Sequence, residues 1–335
     1  RFGSPPVPSA DLPEQYRNQS APGRAEREFS TDFSRATVSY RDVLSGGPPR
    51  DGIPSIDNPR FVSIGDAQGW IDAAEPVLVV EIANSGRTAA TIYPIQILTW
   101  HEIVNDEVAG VPVGVTFCPL CNTGIVFDRR IDGVVLDFGT TGRLRHSNLI
   151  MYDRQTESWW QQATGNAIAG YYAGIQLRTL PVLMLSFTEA AERWPDARVL
   201  SRNTGFTRSY GRNPYVGYDT TDQPMLYRGP EIDDTYKPLE RVISVEHNGE
   251  VAAVAYGVLE TERVVGVSVG GEEFVVIWEP GTASALDTQA IGRGRDVGSA
   301  NAFASRTRDG VQLELFRGGD GRIYDRETRS VWDAT

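Results

Sequence analysis

Two thiols three residues apart are the side chains of this sequence best suited to chemistry. Cys118 and Cys121 are its only cysteines and lie in Thr116-Phe117-Cys118-Pro119-Leu120-Cys121-Asn122-Thr123. Half of a four-thiolate zinc site needs a second Cys-x-x-Cys, which the chain lacks. Haem attachment needs His after the second cysteine, where Asn122 stands. What remains is a redox dithiol, a soft-metal site, a structural disulfide, or a nucleophilic or merely packed cysteine. Of the three histidines, His101 lies in Trp100-His101-Glu102-Ile103-Val104-Asn105-Asp106, just before the cysteine-bearing strand if Gly110 marks a turn. That packing would bring His101 to Cys118. Met151 adds a second soft donor, although its plain reading is a core side chain. Cys118, Cys121, His101 and Met151 together suit copper, because thiolate and thioether select Cu(I). Cys118 with His101 also reads as nucleophile and base.

An internal similarity separates scaffold from chemistry. Tyr152-Asp153-Arg154-Gln155-Thr156-Glu157-Ser158-Trp159-Trp160 faces Tyr324-Asp325-Arg326-Glu327-Thr328-Arg329-Ser330-Val331-Trp332. Val111 to Cys118 faces Gly271 to Trp278, and His101-Glu102-Ile103-Val104 faces Thr261-Glu262-Arg263-Val264. Residues kept in both copies are expected to serve folding; those found in one copy are candidates for chemistry. The cysteines and His101 fall in the second class. The repeated Tyr-Asp-Arg segment falls in the first and reads as a turn with an Asp–Arg pair and a buried aromatic anchor.

The elements that position these groups are strands. Val77 to Ile82, Val111 to Phe117, Gly124 to Asp128 and Val242 to Glu246 are short, β-branched and bounded by turn formers, and Asp132-Gly133 signals a hairpin. Helical spacing occurs over Ile92 to Glu102, with Pro94 in the first turn, and over Ser186 to Trp194, with Ser186 and Thr188 as cap candidates. The predicted fold is mainly β with a few short helices: two related barrel- or sandwich-like domains from an internal duplication. Residues 1–74 form an extended Pro-rich arm, 75–200 the first domain with the Cys-x-x-Cys, 201–240 an ordered Tyr- and Pro-rich connection, and 241–335 a second, abbreviated domain. An arm with so few consecutive apolar residues cannot build its own core. It is expected to dock through Phe2, Tyr16, Phe29, Phe33 and Tyr40, on its own domains or on another subunit, self-association included.

Composition narrows the partners. A net charge of -12 and the absence of basic runs argue against nucleic acid. Lys237 is the only lysine, so the remaining 31 of the 32 basic residues are arginines, which fits a salt-tolerant surface or simply a high-GC genome. No apolar run reaches the roughly 20 residues of a membrane span. The start at Arg1 followed by polar, Pro-rich chain reads as a mature protein after loss of an export signal. This predicts an extracytoplasmic location.

The His101 to Asp106 segment, the Thr116 to Thr123 core, and Ser147-Asn148-Leu149-Ile150-Met151-Tyr152-Asp153-Arg154 resemble the domain-of-unknown-function family 3179 of bacteria and archaea. Tyr210-Gly211-Arg212-Asn213-Pro214-Tyr215-Val216-Gly217-Tyr218 resembles the same pattern. The resemblance spans roughly residues 75 to 335 and implies an exported or lipid-anchored protein, with no activity attached. The functional expectation is therefore an exported protein holding a soft metal, copper first. Its rivals are an extracellular structural or assembly subunit and a thiol catalyst or redox protein using Cys118 and His101.

Overall fold

The β-branched run from Pro76 forms the strand Pro76–Asn84, which returns as Arg87–Pro94 in the computed structural model, described here for residues 3–332. Ser85 and Gly86 at the turn have φ of 49° and 78°, the left-handed pair a two-residue hairpin of this hand requires. The strand carries Ile92 and Tyr93 further than helical spacing predicts. They pair with Val79 and Leu78 and are fully buried. The helix is accordingly Ile95–His101, with Pro94 as its N-cap rather than inside its first turn. The residue before a proline is disfavoured in the α region, and here that residue is Tyr93. The second expected helix is Phe187–Arg193, capped by Ser186 and Glu189 in a reciprocal capping box.

The chain is mainly β, with four short α-helices among the described residues. Three sheets surround the main core. One joins Ile103–Val108, Val111–Cys118, Thr123–Asp128 and Thr179–Leu180, all antiparallel. The second adds Leu183–Ser186 and Arg198–Leu200 to the two edges of the Pro76 hairpin. The third carries Phe138–Arg145, Asn148–Asp153 and Trp159–Gln161. Side chains from all three, including Val80, Val115, Phe117, Phe138 and Trp160, fill one apolar cluster. That cluster also takes in Tyr218 from the 201–240 segment and Ala285, Leu286 and Ile291 from further on.

Beyond residue 241 the order strand, strand, helix, strand, strand recurs as Val242–His247, Glu250–Ala255, Tyr256–Glu262, Val264–Val269 and Glu272–Glu279. Unlike the Pro76 hairpin, the Val242 hairpin forms a two-stranded sheet by itself. The repeated Tyr-Asp-Arg turns also share their bonding. Asp153 accepts from the Thr156 amide at 2.6 Å, the Thr156 hydroxyl at 2.9 Å and the Trp160 indole at 2.9 Å. Asp325 accepts from Thr328 and from the Trp332 indole in the same way. The expected Asp–Arg pair is absent from both turns: Arg154 reaches Asp57 and Ser55, and Arg326 reaches Glu314. A buried carboxylate is satisfied more economically by N–H and O–H groups of its own turn, leaving the long arginines to bridge outward.

The Pro-rich arm crosses the third sheet. Phe29 and Phe33 set their edges against Trp159, at centroid distances of 5.3 and 5.0 Å, and Tyr40 is buried beside Phe33. Tyr16 packs partly buried at the margin, while Phe2 lies outside the described residues. Among the described residues no helix is long and apolar enough to cross a membrane.

Candidate functional site

Cys118 ends the central strand of its sheet and pairs with Thr123 across a short 3-10 turn, Pro119–Cys121. Pro119 opens that turn with φ already fixed, and Asn122 closes it in the left-handed region at φ 46°. The result puts Cys118 inside the core, 1% exposed, and leaves Cys121 half-buried at the rim. Both are free thiols.

The two sulfurs have unequal surroundings. The Asn148 amide donates to the Cys121 sulfur at 3.1 Å. Its second N–H donates to Gln162 at 2.8 Å, and Gln161 donates to the Asn148 oxygen, so the amide cannot turn away. The Cys118 thiol has two acceptors in reach, the Ser147 carbonyl at 3.8 Å and the Cys121 sulfur. The Cys118 hydrogen bond, opposed by burial and helped by Asn148 and Thr123, lowers the Cys121 thiol from its ordinary value. Burial first, and then the neighbouring Cys121, raise Cys118 well above its own. Of the two thiols, Cys121 therefore gives up its proton the more readily.

The structure does not bring the four sequence candidates together. His101 is buried, but its Nδ1 lies 2.7 Å from the Pro54 carbonyl and its Nε2 2.7 Å from the Tyr210 hydroxyl. Burial lowers its pKa, which favours the neutral ring. Met151 sits in the Asn148–Asp153 strand between Thr140 and Trp160, wholly within the apolar cluster. Among the described residues, no set of three or more His, Cys, Asp or Glu side chains forms a metal cage.

Glu102, next to His101, meets the cysteine-bearing strand through its backbone, its carbonyl accepting from the Phe117 amide at 2.8 Å. It is the C-cap of the Ile95–His101 helix, at φ 60°, and is 7% exposed. Burial, and then the Cys121 charge, push its carboxyl up to about 8. Tyr215 and Tyr218 close the other side. Burial raises both hydroxyls, and the charge of Glu102 and Cys118 raises Tyr215 further. The Tyr218 hydroxyl donates to the Leu120 carbonyl at 3.1 Å and accepts from the Met225 amide at 3.0 Å, while Ser147 donates to the Met225 carbonyl. Segment 201–240 is thereby fastened over the turn. From beyond it, Arg241 donates through both terminal nitrogens to the Asn122 side-chain oxygen at 2.8 and 3.0 Å, with the Asn122 amide oriented to receive it.

The side-by-side sequence reading hid Glu102. It set Glu102 against Glu262, an apparent identity. Matched by element, the C-cap Glu102 stands opposite the C-cap Arg263, at φ 67°, because the second helix runs through Glu262. A one-residue slip exchanges every inward and outward position of the following strand. Asn148 carried no signal beyond its place in the quoted Ser147-Asn148 motif.

The family described as "Protein of unknown function (DUF3179)" matches residues 50–335, and the chain belongs to it. No curated protein matches this chain. No solved structure matches it either.

Proposed function

We propose that this family member is a thiol–disulfide exchange protein in which Cys121 attacks and Cys118 resolves. The observation that carries the reading is the pinned Asn148 amide on the Cys121 sulfur at 3.1 Å, beside a Cys118 that is enclosed. In exchange the thiolate is the nucleophile, and a hydrogen-bonded thiolate at the rim next to a buried thiol gives the two sulfurs different tasks. Cys121 forms a bond to one sulfur of a substrate disulfide, whose other half leaves as a thiolate. Cys118 then bonds to Cys121, and the second half leaves. Two electrons pass from the pair to the substrate, and an external dithiol restores the reduced form. This assigns the attack to Cys121 instead of Cys118 and needs no base at His101.

Alkylation of the reduced protein across pH, with the modified residue mapped by mass, tests it. Cys121 should react at neutral pH and Cys118 only after unfolding, and oxidised glutathione should close the Cys118–Cys121 bond. Reaction of Cys118 first, or no internal disulfide at all, would sink the reading.

Copper is the second reading, narrowed to the two sulfurs. The dry wall around Cys118, formed by Phe117, Leu120 and other members of the apolar cluster, favours a soft Cu(I) ion over water-loving cations. Anaerobic titration with Cu(I), followed by elemental analysis of wild type and Cys121→Ser, decides whether one ion is retained through the thiols.

Three broader expectations are kept as proposals. The chain is read as two related barrel- or sandwich-like units, about 75–200 and 241–335, arisen by duplication. The recurring element order, the matching C-caps and the matching Asp–Thr–Trp turns support this, and an experimental structure in which the two units fail to superpose would refute it. An extracytoplasmic location is proposed from the family resemblance, to be checked by cell fractionation. The arm is proposed to reach other subunits through residues its anchors leave exposed, as an extracellular assembly subunit would. An unchanged molecular mass after deletion of residues 1–28 would remove that role.

A further inference from the structure

We infer that Met225 and Leu226 form the docking surface for the exchange substrate, a polypeptide whose disulfide is flanked by apolar residues; this rests on the exchange reading above. The two side chains are 44% and 43% exposed, and neither belongs to an apolar cluster of the described residues. Single exposed apolar side chains are ordinary on a protein surface. The backbone of this pair, however, is tied to the dithiol. The Met225 amide donates to the Tyr218 hydroxyl at 3.0 Å, and that hydroxyl donates to the carbonyl of Leu120, the residue before Cys121, at 3.1 Å. The Met225 carbonyl accepts from the Ser147 hydroxyl. The Ser147 carbonyl lies 3.8 Å from the Cys118 sulfur, and the next residue, Asn148, supplies the amide on Cys121. Both backbone groups of Met225 are thus taken up by the two turns that hold the sulfurs.

The residues that follow fix the platform. Leu226 has φ 56°, a left-handed conformation that a bulky side chain adopts only under constraint. The Tyr227 ring lies 6.0 Å from that of His146, beside Ser147, and its hydroxyl donates to the Pro230 carbonyl at 2.8 Å. A Cβ at Gly229 would stand 2.6 Å from the Tyr227 hydroxyl and 3.0 Å from the His146 ring, so the loop fits closely on its turn. Strain of this kind persists where the surrounding structure over-determines it, and it concentrates at ligand clamps. Here it leaves two apolar side chains in solvent, beside the half-buried Cys121, instead of in the core.

Charge selects the occupant. Residues 222–240 carry Asp222, Glu231, Asp233, Asp234 and Glu240 against Arg228 and Lys237, on a chain of net charge -12. Small anionic disulfides such as oxidised glutathione approach against that field. A polypeptide disulfide with uncharged, apolar flanks meets no such penalty and covers the exposed pair. Methionine is unbranched and polarisable, so a surface built on it accepts apolar character in general rather than one sequence. The covalent step stays as described: Cys121 bonds to the near sulfur of the substrate, the substrate S–S bond breaks, and its electron pair leaves on the far sulfur. Met225 and Leu226 act before that step, by binding.

The test uses the full-length reduced protein with three oxidants: oxidised glutathione and two synthetic peptides, each closed by one disulfide. One peptide flanks its cysteines with Leu and Phe, the other with Ser and Glu. Wild type is compared with the double variant Met225→Ser/Leu226→Ser, which removes exposed side chains and keeps the backbone bonds. With the apolar peptide, the second-order rate of closing the Cys118–Cys121 disulfide should fall about tenfold in the double variant. With glutathione, and in alkylation of Cys121 by iodoacetamide, it should change by less than about twofold, because no apolar surface is buried there. Fluorescence anisotropy reads binding without exchange: the labelled apolar peptide should bind Cys121→Ser protein and be lost when the double substitution is added. Should the double variant fail to fold, Leu226→Gly, which also relieves the left-handed strain, is measured in its place. Equal wild-type rates for the two peptides, or an apolar-peptide rate unmoved by the substitutions, would overturn the inference alone. A wild-type dimer that dissociates in the double variant would assign the pair to a second copy of the chain and overturn it too. A wild type that no disulfide closes, glutathione included, would overturn the exchange reading, and this role with it.

Discussion

Replacing Glu102 by Gln should change how stability depends on pH, in a direction fixed by burial. The Glu102 carboxyl is raised from an ordinary 4.5 to about 8. A group whose folded value exceeds its unfolded value binds its proton more tightly when folded. Its contribution is fully present below about pH 4.5 and is lost as pH rises toward 8. Each pH unit of separation corresponds to about 1.4 kcal/mol, so a separation of about 3.5 units corresponds to about 5 kcal/mol. Because Glu102 is 7% exposed, solvent screening reduces this little. Glu75, raised by burial to about 7, adds a loss of the same sign, and the lowered Cys121 contributes in the opposite sense. Both are common to the two proteins, so the quantity to follow is the difference between them. Urea unfolding at half-unit steps from about pH 5 to 8.5 should show wild type losing several kcal/mol relative to Glu102→Gln. A difference that stays flat across that range would show that Glu102 is ionised throughout, and the proton argument would fall with it.

Removing the amide at Cys121 with Asn148→Ala should cost a hydrogen bond to the sulfur, roughly 1.5–3 kcal/mol if the sulfur is ionised, and raise the Cys121 thiol; alkylation rate against pH reads this directly. Phe29→Ala should lower stability by about 3–5 kcal/mol, because Phe29 is buried between Tyr152 and Trp159 and its loss leaves a void at the arm's anchor, measurable by thermal or urea unfolding. Asp153→Asn should destabilise the fold by about 2–4 kcal/mol while leaving the Cys121 alkylation profile unchanged, since the turn it organises is scaffold. A shifted alkylation profile in that variant would bring the repeated turn into the chemistry.

The sequence alone determined what depends on neighbours along the chain. The two-residue hairpins follow from left-handed pairs such as Asp132-Gly133, the Phe187–Arg193 helix follows from the Ser186 and Glu189 box, and the thiol pair is plain from its spacing. Phe29, Phe33 and Tyr40 were legible as anchors of the arm too, because apolar side chains in a segment without a core must find one elsewhere. Tertiary structure decided which sulfur receives an amide hydrogen bond, since Asn148 lies 27 residues beyond Cys121 and arrives through another sheet. It also decided where His101 points. His101 and Glu102 are adjacent in sequence, yet the end of one helix turns the first toward Pro54 and Tyr210, while the second is buried and bonds through its backbone to Leu98 and Phe117. Helical geometry separates consecutive side chains by about a quarter turn, so neighbours face different partners. Only the packing of the sheets says which partner each one meets.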